Sequence, residues 1–251
     1  MSAGRRSPVE PEEVEPQMCS FDMRLDILGR VPFFAGLPRS DVERINEMFH
    51  EHGYAPDEAI YYSGDEARRL YVVASGKVKI MRHTLAGQDV LLDILTPGEY
   101  FGSLAALGDD VYPDTAQAQT VVCVLGIGAE DFRRVLTSYP SVALKVLDLT
   151  SERLRDAREM VRRLSAHTVE QRIAYTLLKL GEKLGEPSAE GLLIQMPFSR
   201  EDLAGMTGTT TATASRVMSH LQKTGLINTG RQWVAIRDEA GLRAIAEEVP
   251  A

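Results

Sequence analysis

The stretch FSREDLAGMTGTTTATASRVMSHLQKTGLINTGRQWVAI, residues 198–236, decides the fold of the C-terminal part of the chain. Ser199 and Asp202 stand three residues apart, which is the spacing of a capping box that starts a short helix. Gly208 follows that helix where a tight turn would join it to a second helix, predicted over residues 210–224. The stretch therefore predicts a helix-turn-helix.

The second helix has an apolar and a polar face. Ala214, Val217 and Leu221 are spaced to point inward, while hydroxyl and cationic side chains face outward. The β-like runs 226–227 and 233–236 predict a two-stranded wing after the helix. Such an arrangement is typical of proteins that place one helix in the major groove of DNA. We therefore predict DNA contacts at Thr210, Thr211, Thr213, Ser215, Arg216, Ser219, His220, Lys223 and Arg231.

An ordinary helical hairpin in a globular domain would explain parts of the same stretch, since threonine-rich helix starts are good caps in any protein. The order of capped helix, glycine turn, polar-faced helix and wing favours DNA binding, because every level of the pattern agrees. Arg216 is the expected guanine reader, since its guanidinium fork matches the two guanine acceptors in the major groove.

The composition is that of an ordinary globular protein, with 251 residues, 44% hydrophobic and 25% charged. Residues 1–20 are rich in proline and glutamate and predict a disordered tail. They lack the apolar core of a signal peptide, and no apolar run reaches the length of a membrane span, so we expect a cytoplasmic protein without a membrane partner. Cys19 and Cys123 are the only two cysteines, which makes no disulfide framework and suits a reducing cytoplasm.

The charge balance is acidic. The net charge is −8, and residues 168–251 hold nine Lys and Arg against ten Asp and Glu. A protein that simply coats nucleic acid would be basic. Sequence-specific binding needs only a local positive face, which can be supplied by Arg200, Arg216, Lys223 and Arg231.

Residues 54–127 consist of short β-type runs broken by glycine and proline, which predict a β-sandwich or barrel. Ser75–Gly76 predicts the turn of one hairpin. A second hairpin is predicted between residues 79–83 and 90–95.

Helical periodicity marks three further segments. Residues 22–34 and 40–50 predict short helices before the β region, and residues 140–167 predict one long helix after it. The long helix carries two series of seven-residue period, as at the a and d positions of a coiled coil. The same pattern fits an amphipathic helix packed on its own domain, but the charged residues on its other faces favour a dimer seam. The predicted seam consists of Leu147, Thr150, Leu154, Ala157, Val161 and Leu164.

The order of these parts resembles the family of the cAMP receptor protein and the fumarate-nitrate reduction regulator. Four phrases carry the resemblance: YVVASGKVKI, LTPGEYFGSLAAL, HTVEQRIAYTLL and TATASRVMSHLQKTGLI. It implies an α+β fold with an N-terminal double-stranded β-helix (a β-roll like that of cyclic nucleotide-binding domains), a long dimerisation helix and a C-terminal winged helix-turn-helix. It also implies a homodimer that binds a two-fold-symmetric DNA site, works with RNA polymerase and regulates transcription.

The resemblance also implies a division of the chain into domains. Residues 1–20 are the predicted disordered tail, and residues 21–138 form the β-roll sensor domain. Residues 139–167 form the dimerisation helix, and residues 168–251 form the winged helix-turn-helix domain.

The family's effector pocket falls, by resemblance, at Gly102, Ser103, Leu104 and Thr115. In the cAMP sensors of the family a Glu that holds the ribose stands where Ser103 stands here. The Arg-Ser pair that binds the cyclic phosphate is absent, and Asp114 adds a charge that repels phosphate. Ala157 and Arg158 replace the pair that reads adenine. We therefore expect that cAMP does not control this protein.

Other branches of the family use an iron–sulfur cluster or a haem, and the residues that would bind them can be looked for in this sequence. Cys123 falls at the position of one cluster cysteine of the iron–sulfur oxygen sensors, but Cys19 is the only other thiol, so four ligands cannot be assembled. The motif YPDTAQAQTVV most resembles the branch that senses nitric oxide through haem, where His83 or Cys123 would have to be the axial ligand. The residues themselves favour a solvent-facing hairpin end for His83 and a small buried hydrophobe for Cys123. The sequence therefore does not identify a cofactor. The alternative within the same family is a haem- or redox-dependent sensor of gas or nitrosative stress.

Other functional classes find less support in the sequence. The acidic pair Asp57–Glu58 fits a solvated turn, His50 and His52 lack a metal-binding spacing, and no phosphate loop of the P-loop type is present. We expect neither an enzyme nor a metal site, and a regulator acting only through protein contacts is the alternative from another class. Ala212 stands where many relatives carry a Glu that reads cytosine, so the operator sequence, the target genes and the direction of regulation are not predicted.

Overall fold

The computed structural model describes residues 19–83, 89–103, 111–195, 199–230 and 232–247. Most of the predicted tail, the turn of the second hairpin, Leu104 and Arg231 lie outside these residues. The chain divides into two compact units between Arg155 and Asp156, inside one long helix. None of the helices in the described ranges is long and apolar enough to span a membrane.

The N-terminal unit begins with two helices, α1 (Phe21–Arg30) and α2 (Arg39–Asn46). Two four-stranded antiparallel sheets follow, in the orders β1-β8-β3-β6 and β2-β7-β4-β5. This is the predicted β-roll. Its strands are β1 (Phe49–Tyr54), β2 (Ala59–Tyr61), β3 (Arg69–Ser75), β4 (Val78–His83), β5 (Asp89–Leu95), β6 (Tyr100–Gly102), β7 (Thr115–Ala118) and β8 (Val122–Gly128).

Strand β8 separates two hydrophobic clusters because successive side chains point to opposite faces of a sheet. Cys123, Leu125 and Ile127 pack in a cluster with α1 and the residues that follow it. Val122 and Val124 pack in the other cluster, between the two sheets of the roll.

The predicted hairpin at Ser75–Gly76 is wrong. Strand β3 pairs with β6 and β8, whereas β4 pairs with β5 and β7, so the chain crosses from one sheet to the other at this turn. Gly76 has φ +80°, and a Cβ there would collide with the carbonyl of Val121. The second predicted pairing is confirmed, since Lys79 lies opposite Ile94 in the β4–β5 ladder.

The predicted helix at residues 40–50 ends earlier than expected, because Phe49 already begins β1. After the roll come α3 (Ala129–Ser138) and α4 (Pro140–Ala166), and α4 matches the predicted long helix to within one residue. Val142 and Val146 attach the start of α4 to the core of the N-terminal unit.

The C-terminal unit opens with α5 (Val169–Leu184), which starts at a capping box formed by Thr168 and Gln171. Its four-stranded sheet has the order β11-β12-β10-β9, of which only the last two strands in the chain were predicted, as the wing. The remaining elements are β9 (Gly185–Ser188), β10 (Gly191–Gln195), α6 (Arg200–Thr207), α7 (Thr211–Lys223), β11 (Ile227–Gly230), β12 (Trp233–Ile236) and α8 (Glu239–Glu247).

Candidate nucleic-acid interface

The turn between α6 and α7 is built as the sequence predicts. Ser199 and Asp202 form a reciprocal capping box at the start of α6. Gly208 adopts the left-handed conformation, with φ 59° and ψ 47°, and its backbone N–H bonds to the carbonyls of the last turn. Thr210 then caps α7 by accepting a 3.2 Å hydrogen bond from the backbone N–H of Thr213.

Arg172 of α5 braces this turn, a role that the sequence did not suggest. Its guanidinium donates to the carbonyls of Thr207 (2.8 Å) and Gly208 (3.4 Å). It also donates to the carbonyls of Leu164 and His167, each at 3.1 Å. One side chain thus satisfies the exposed carbonyl ends of both α6 and α4, which fixes the start of α7 relative to α5.

Helix α7 buries Ala214, Met218 and Leu221 against the rest of the unit. Val217, which was predicted to point inward, is only half-buried. Positions 214, 218 and 221 are separated by four and three residues, and positions 214, 217 and 221 by three and four, so both sets lie on one face of a helix. The buried face of α7 is therefore rotated slightly from the predicted one.

The outward face of α7 is polar, as predicted. Thr211, Arg216, Ser219, His220 and Lys223 are exposed, and Thr213 and Ser215 are half-buried beside them. A shallow groove of about 330 Å³ runs along this face and is lined by Ser215, Arg216, Ser219, His220 and Lys223.

The two cations of this face are available for a ligand. Arg216 donates from Nη2 to the hydroxyl of Thr213 at 3.1 Å, which orients the side chain along the helix without neutralising it. Among the described residues, no carboxylate pairs with Arg216 or Lys223 within 4.0 Å. An unneutralised cation over a groove attracts anions such as phosphate.

His220 differs from its neighbours on this face. Its Nε2 lies 3.6 Å from a carboxylate oxygen of Glu170 in α5. This is a long contact at the surface, between the C-terminal half of α7 and α5.

The wing is anchored at both of its strands. Ile227 lies opposite Ile236 in the antiparallel pair β11–β12. Arg200 Nη2 donates to the hydroxyl of Thr229 at 2.9 Å, and burial lowers the pKa of this arginine. Asn228 donates to Glu190 at 2.8 Å, which joins the wing to the turn between β9 and β10.

The interior of the β-roll, where the family's effector pocket was expected, contains a stack of aromatic rings. The rings of Tyr61 and Tyr112 lie 3.7 Å apart at an interplanar angle of 16°. Tyr71 and Phe101 continue the stack at 5.3 Å. The Tyr112 hydroxyl donates to the carbonyl of Arg69 at 3.1 Å, so the stack is held at its polar end as well.

The described residues of the expected pocket are mostly engaged within the roll. Gly102 has φ +92°, and Ser103 and Thr115 are both buried. Thr115 Oγ1 accepts a 3.1 Å hydrogen bond from the backbone N–H of Ser63. Strand β4 brings a cation to this region, since Arg82 Nε donates to Asp114 Oδ1 at 2.7 Å.

Two family models match the chain. The model of the cyclic nucleotide-binding domain matches residues 51–139, and the model of the Crp-like helix-turn-helix domain matches residues 171–245. The cyclic AMP receptor protein of Thermus thermophilus is 34% identical over 215 residues, covering 86% of this chain and 96% of the relative. The chain belongs to the family of the cAMP receptor protein and the fumarate-nitrate reduction regulator. Members of this family are transcription regulators rather than enzymes.

A further curated relative and a solved structure are also similar to this chain. The transcriptional activator FnrA of Stutzerimonas stutzeri is 28% identical and covers 75% of this chain and 77% of its own length. The structure of FixK2 from Bradyrhizobium japonicum is 24% identical, with a TM-score of 0.71 and coverage of 80% of this chain and 99% of that chain. The FixK2 likeness concerns the fold.

Proposed function

We propose that this protein is a homodimeric transcription regulator that binds a two-fold-symmetric operator through α7 and is not switched by cAMP. The observation that carries the proposal is the outward face of α7, which presents hydroxyls and two unneutralised cations over a groove. In a helix-turn-helix the second helix enters the major groove with its N-terminal part toward the bases. Thr210, Thr211, Thr213 and Ser215 occupy that part, where hydroxyls and backbone N–H groups can hold phosphate.

An apolar stripe on α4 supports the proposed dimer. Leu147, Leu154 and Val161 are 62%, 53% and 64% exposed in the single chain. Leu164 is also exposed, and Thr150 and Ala157 give the stripe small residues between the large ones. A row of exposed apolar residues at seven-residue spacing is expected to be covered by the same helix of a second copy, as in a coiled coil.

The DNA-binding part of the proposal is tested by fluorescence anisotropy with labelled duplexes at several salt concentrations. We expect log Kd to rise linearly with the logarithm of the salt concentration, because Lys and Arg side chains that contact phosphates displace counterions from the DNA. An affinity that does not change with salt, or no binding to any duplex, would leave the alternative of a regulator that acts through protein contacts only.

The described part of the effector region, which leaves out residues 104–110, supports the proposal that cAMP does not bind. A buried cyclic phosphate needs cationic partners, and the nearby Arg82 is already paired with Asp114. The Tyr61–Tyr112 stack occupies the interior of the roll, and Ser103 replaces the ribose-binding carboxylate of the family's cAMP sensors. The Thermus relative is named a cyclic AMP receptor protein, so the proposal for this chain depends on these residues and not on the overall likeness.

Calorimetry with cAMP tests this point directly. We expect no binding with a Kd in the micromolar range, and no change in DNA affinity when cAMP is added, because Arg82 is paired with Asp114 and Ser103 stands in place of the ribose-binding carboxylate. A Kd of about 10 μM or lower, coupled to tighter DNA binding, would contradict the assignment.

The two metal cofactors of the family fit this chain poorly. An iron–sulfur cluster needs four cysteine ligands, and the chain has two cysteines. Cys123 faces the cluster that contains α1 rather than the interior of the roll, so it is not placed to bind a haem there. The side chain of His83 lies outside the described residues. Contact with RNA polymerase and a cytoplasmic location remain predictions from the family.

A further inference from the structure

Cys19 and Cys123 come together although they lie 104 residues apart in the chain, and their Sγ atoms are 2.8 Å apart. Cys19 immediately precedes Ser20, the N-cap of α1. Cys123 lies in β8, the strand flanked by β1 and β3. Both are free thiols and both are buried. We propose that this pair is a reversible disulfide site that fastens the N-terminal end of α1 to β8.

The sulfur separation favours a disulfide over a bound metal ion. Glu51 completes a group of three potential ligands with the two thiols, with ligand atoms within 4.8 Å of one another. Two thiolates on a tetrahedral zinc ion, at bonds of about 2.3 Å, lie roughly 3.7 Å apart. The two sulfurs here are closer than that, and about 0.8 Å of approach gives a disulfide bond of about 2.05 Å. Glu51 Oε1 is engaged by the backbone N–H of Cys19 at 2.9 Å.

The reaction requires a small-molecule disulfide, such as oxidised glutathione, as the oxidant. One cysteine attacks the glutathione disulfide and releases one reduced glutathione, which takes the proton of that thiol. The second cysteine attacks the mixed disulfide and releases another reduced glutathione in the same way. Two protein thiols are thereby oxidised, and one glutathione disulfide is reduced to two thiols.

The surroundings make this pair slow to react. Burial is the largest cause that raises the pKa of both thiols, and the charge of Glu51 adds to it in each case. The thiolate is the nucleophile, so a raised pKa lowers the rate of exchange without fixing its end point. The oxidation state of the Cys19–Cys123 pair would adjust to the surrounding ratio of reduced to oxidised glutathione over minutes to hours. Exposed cysteines with a low pKa, which detect peroxide, react much faster.

The test uses the full chain in glutathione buffers of increasing oxidised fraction, followed by acid quenching, alkylation under denaturing conditions and intact mass measurement. We expect a species lighter by two hydrogen atoms that carries no alkyl group and no glutathione. Closing so long a loop should raise the melting temperature by about 5–10 °C, and dithiothreitol should reverse the shift. Peptide mapping should recover Cys19 linked to Cys123.

Two variants make the result specific. Cys19→Ser should lose the melting shift: whatever the hydroxyl costs at this buried position, the melting temperature of the variant should be the same in oxidising and in reducing buffer. Glu51→Gln keeps an oxygen acceptor for the Cys19 N–H but removes the charge. It should reach the same disulfide several-fold faster, because more of each thiol is ionised. If the two cysteines only filled space in the core, Glu51→Gln would not change the rate at which they are oxidised.

Three outcomes would overturn the proposal. Both thiols could remain free at the most oxidising buffer after hours of exposure. Oxidation could yield only glutathione adducts or cross-linked dimers. Elemental analysis of the purified protein could find one zinc or iron per chain that is lost in Cys19→Ser, which would make the three residues a metal site. None of these results bears on the proposed DNA binding.

Discussion

Leu154→Asp is expected to convert the dimer into monomers at micromolar concentration. Leu154 lies at the middle of the exposed apolar stripe of α4, and it is 53% exposed in the single chain. In a two-fold seam both copies would place a carboxylate in the same buried layer. Burying an unpaired charge costs about 3–5 kcal/mol, which weakens the dimer by a factor of about 100 to 1,000 or more. Sedimentation equilibrium measures this directly.

Arg155→Gln provides a matched control for this change. It alters the net charge by the same single unit at the adjacent exposed position of the same helix. The control should remain dimeric, and circular dichroism should show that both variants keep their helix content. If Leu154→Asp stays fully dimeric at micromolar concentration, the stripe is not the dimer seam.

Arg216→Ala is expected to cost about 1–3 kcal/mol of binding free energy per half-site on the preferred operator, which is roughly 5- to 150-fold in affinity. The reason is its position: it is exposed in the groove of α7, and its one hydrogen bond within the described ranges goes to the Thr213 hydroxyl. Preference at one base pair of each half-site should relax at the same time. Arg216→Lys keeps the charge but loses the fork, so it should retain affinity for random duplexes and lose the preference.

Lys223→Ala separates base reading from phosphate contact. Lys223 lies in the last turn of α7, where it lines the end of the groove. Its removal should weaken all duplexes about equally and reduce the slope of log affinity against log salt by roughly one unit. If Arg216→Ala behaved like Lys223→Ala and kept the selected sequence, Arg216 would be a phosphate contact and the threonines would have to supply specificity.

The features that the sequence predicted well are those set by near neighbours in the chain. The capping box at Ser199 and the turn at Gly208 each depend on residues within about one helical turn, so their spacing is sufficient. The order of the larger parts was also predicted from the residues and led to the family resemblance, which the matches of both family models confirm.

The features that the sequence missed depend on distant residues. Ser75–Gly76 has the composition of a hairpin turn, yet its flanking strands belong to different sheets because each pairs with β-strands elsewhere in the chain. Arg172 gave no signal, since its four acceptors are backbone carbonyls with no residue preference. Val217 and Met218 are neighbouring apolar residues, and periodicity alone does not determine which of them is buried.

The most direct test of the account is selection of the preferred duplex from a random pool with the purified protein, followed by anisotropy on the selected sequence. We expect a two-fold-symmetric consensus whose half-sites are centred about one helical turn, 10–10.5 base pairs, apart and are bound by one dimer. A guanine in each half-site should lose its preference in Arg216→Ala. An asymmetric consensus, or enrichment of no sequence at all, would contradict the claim that a dimer reads DNA through α7.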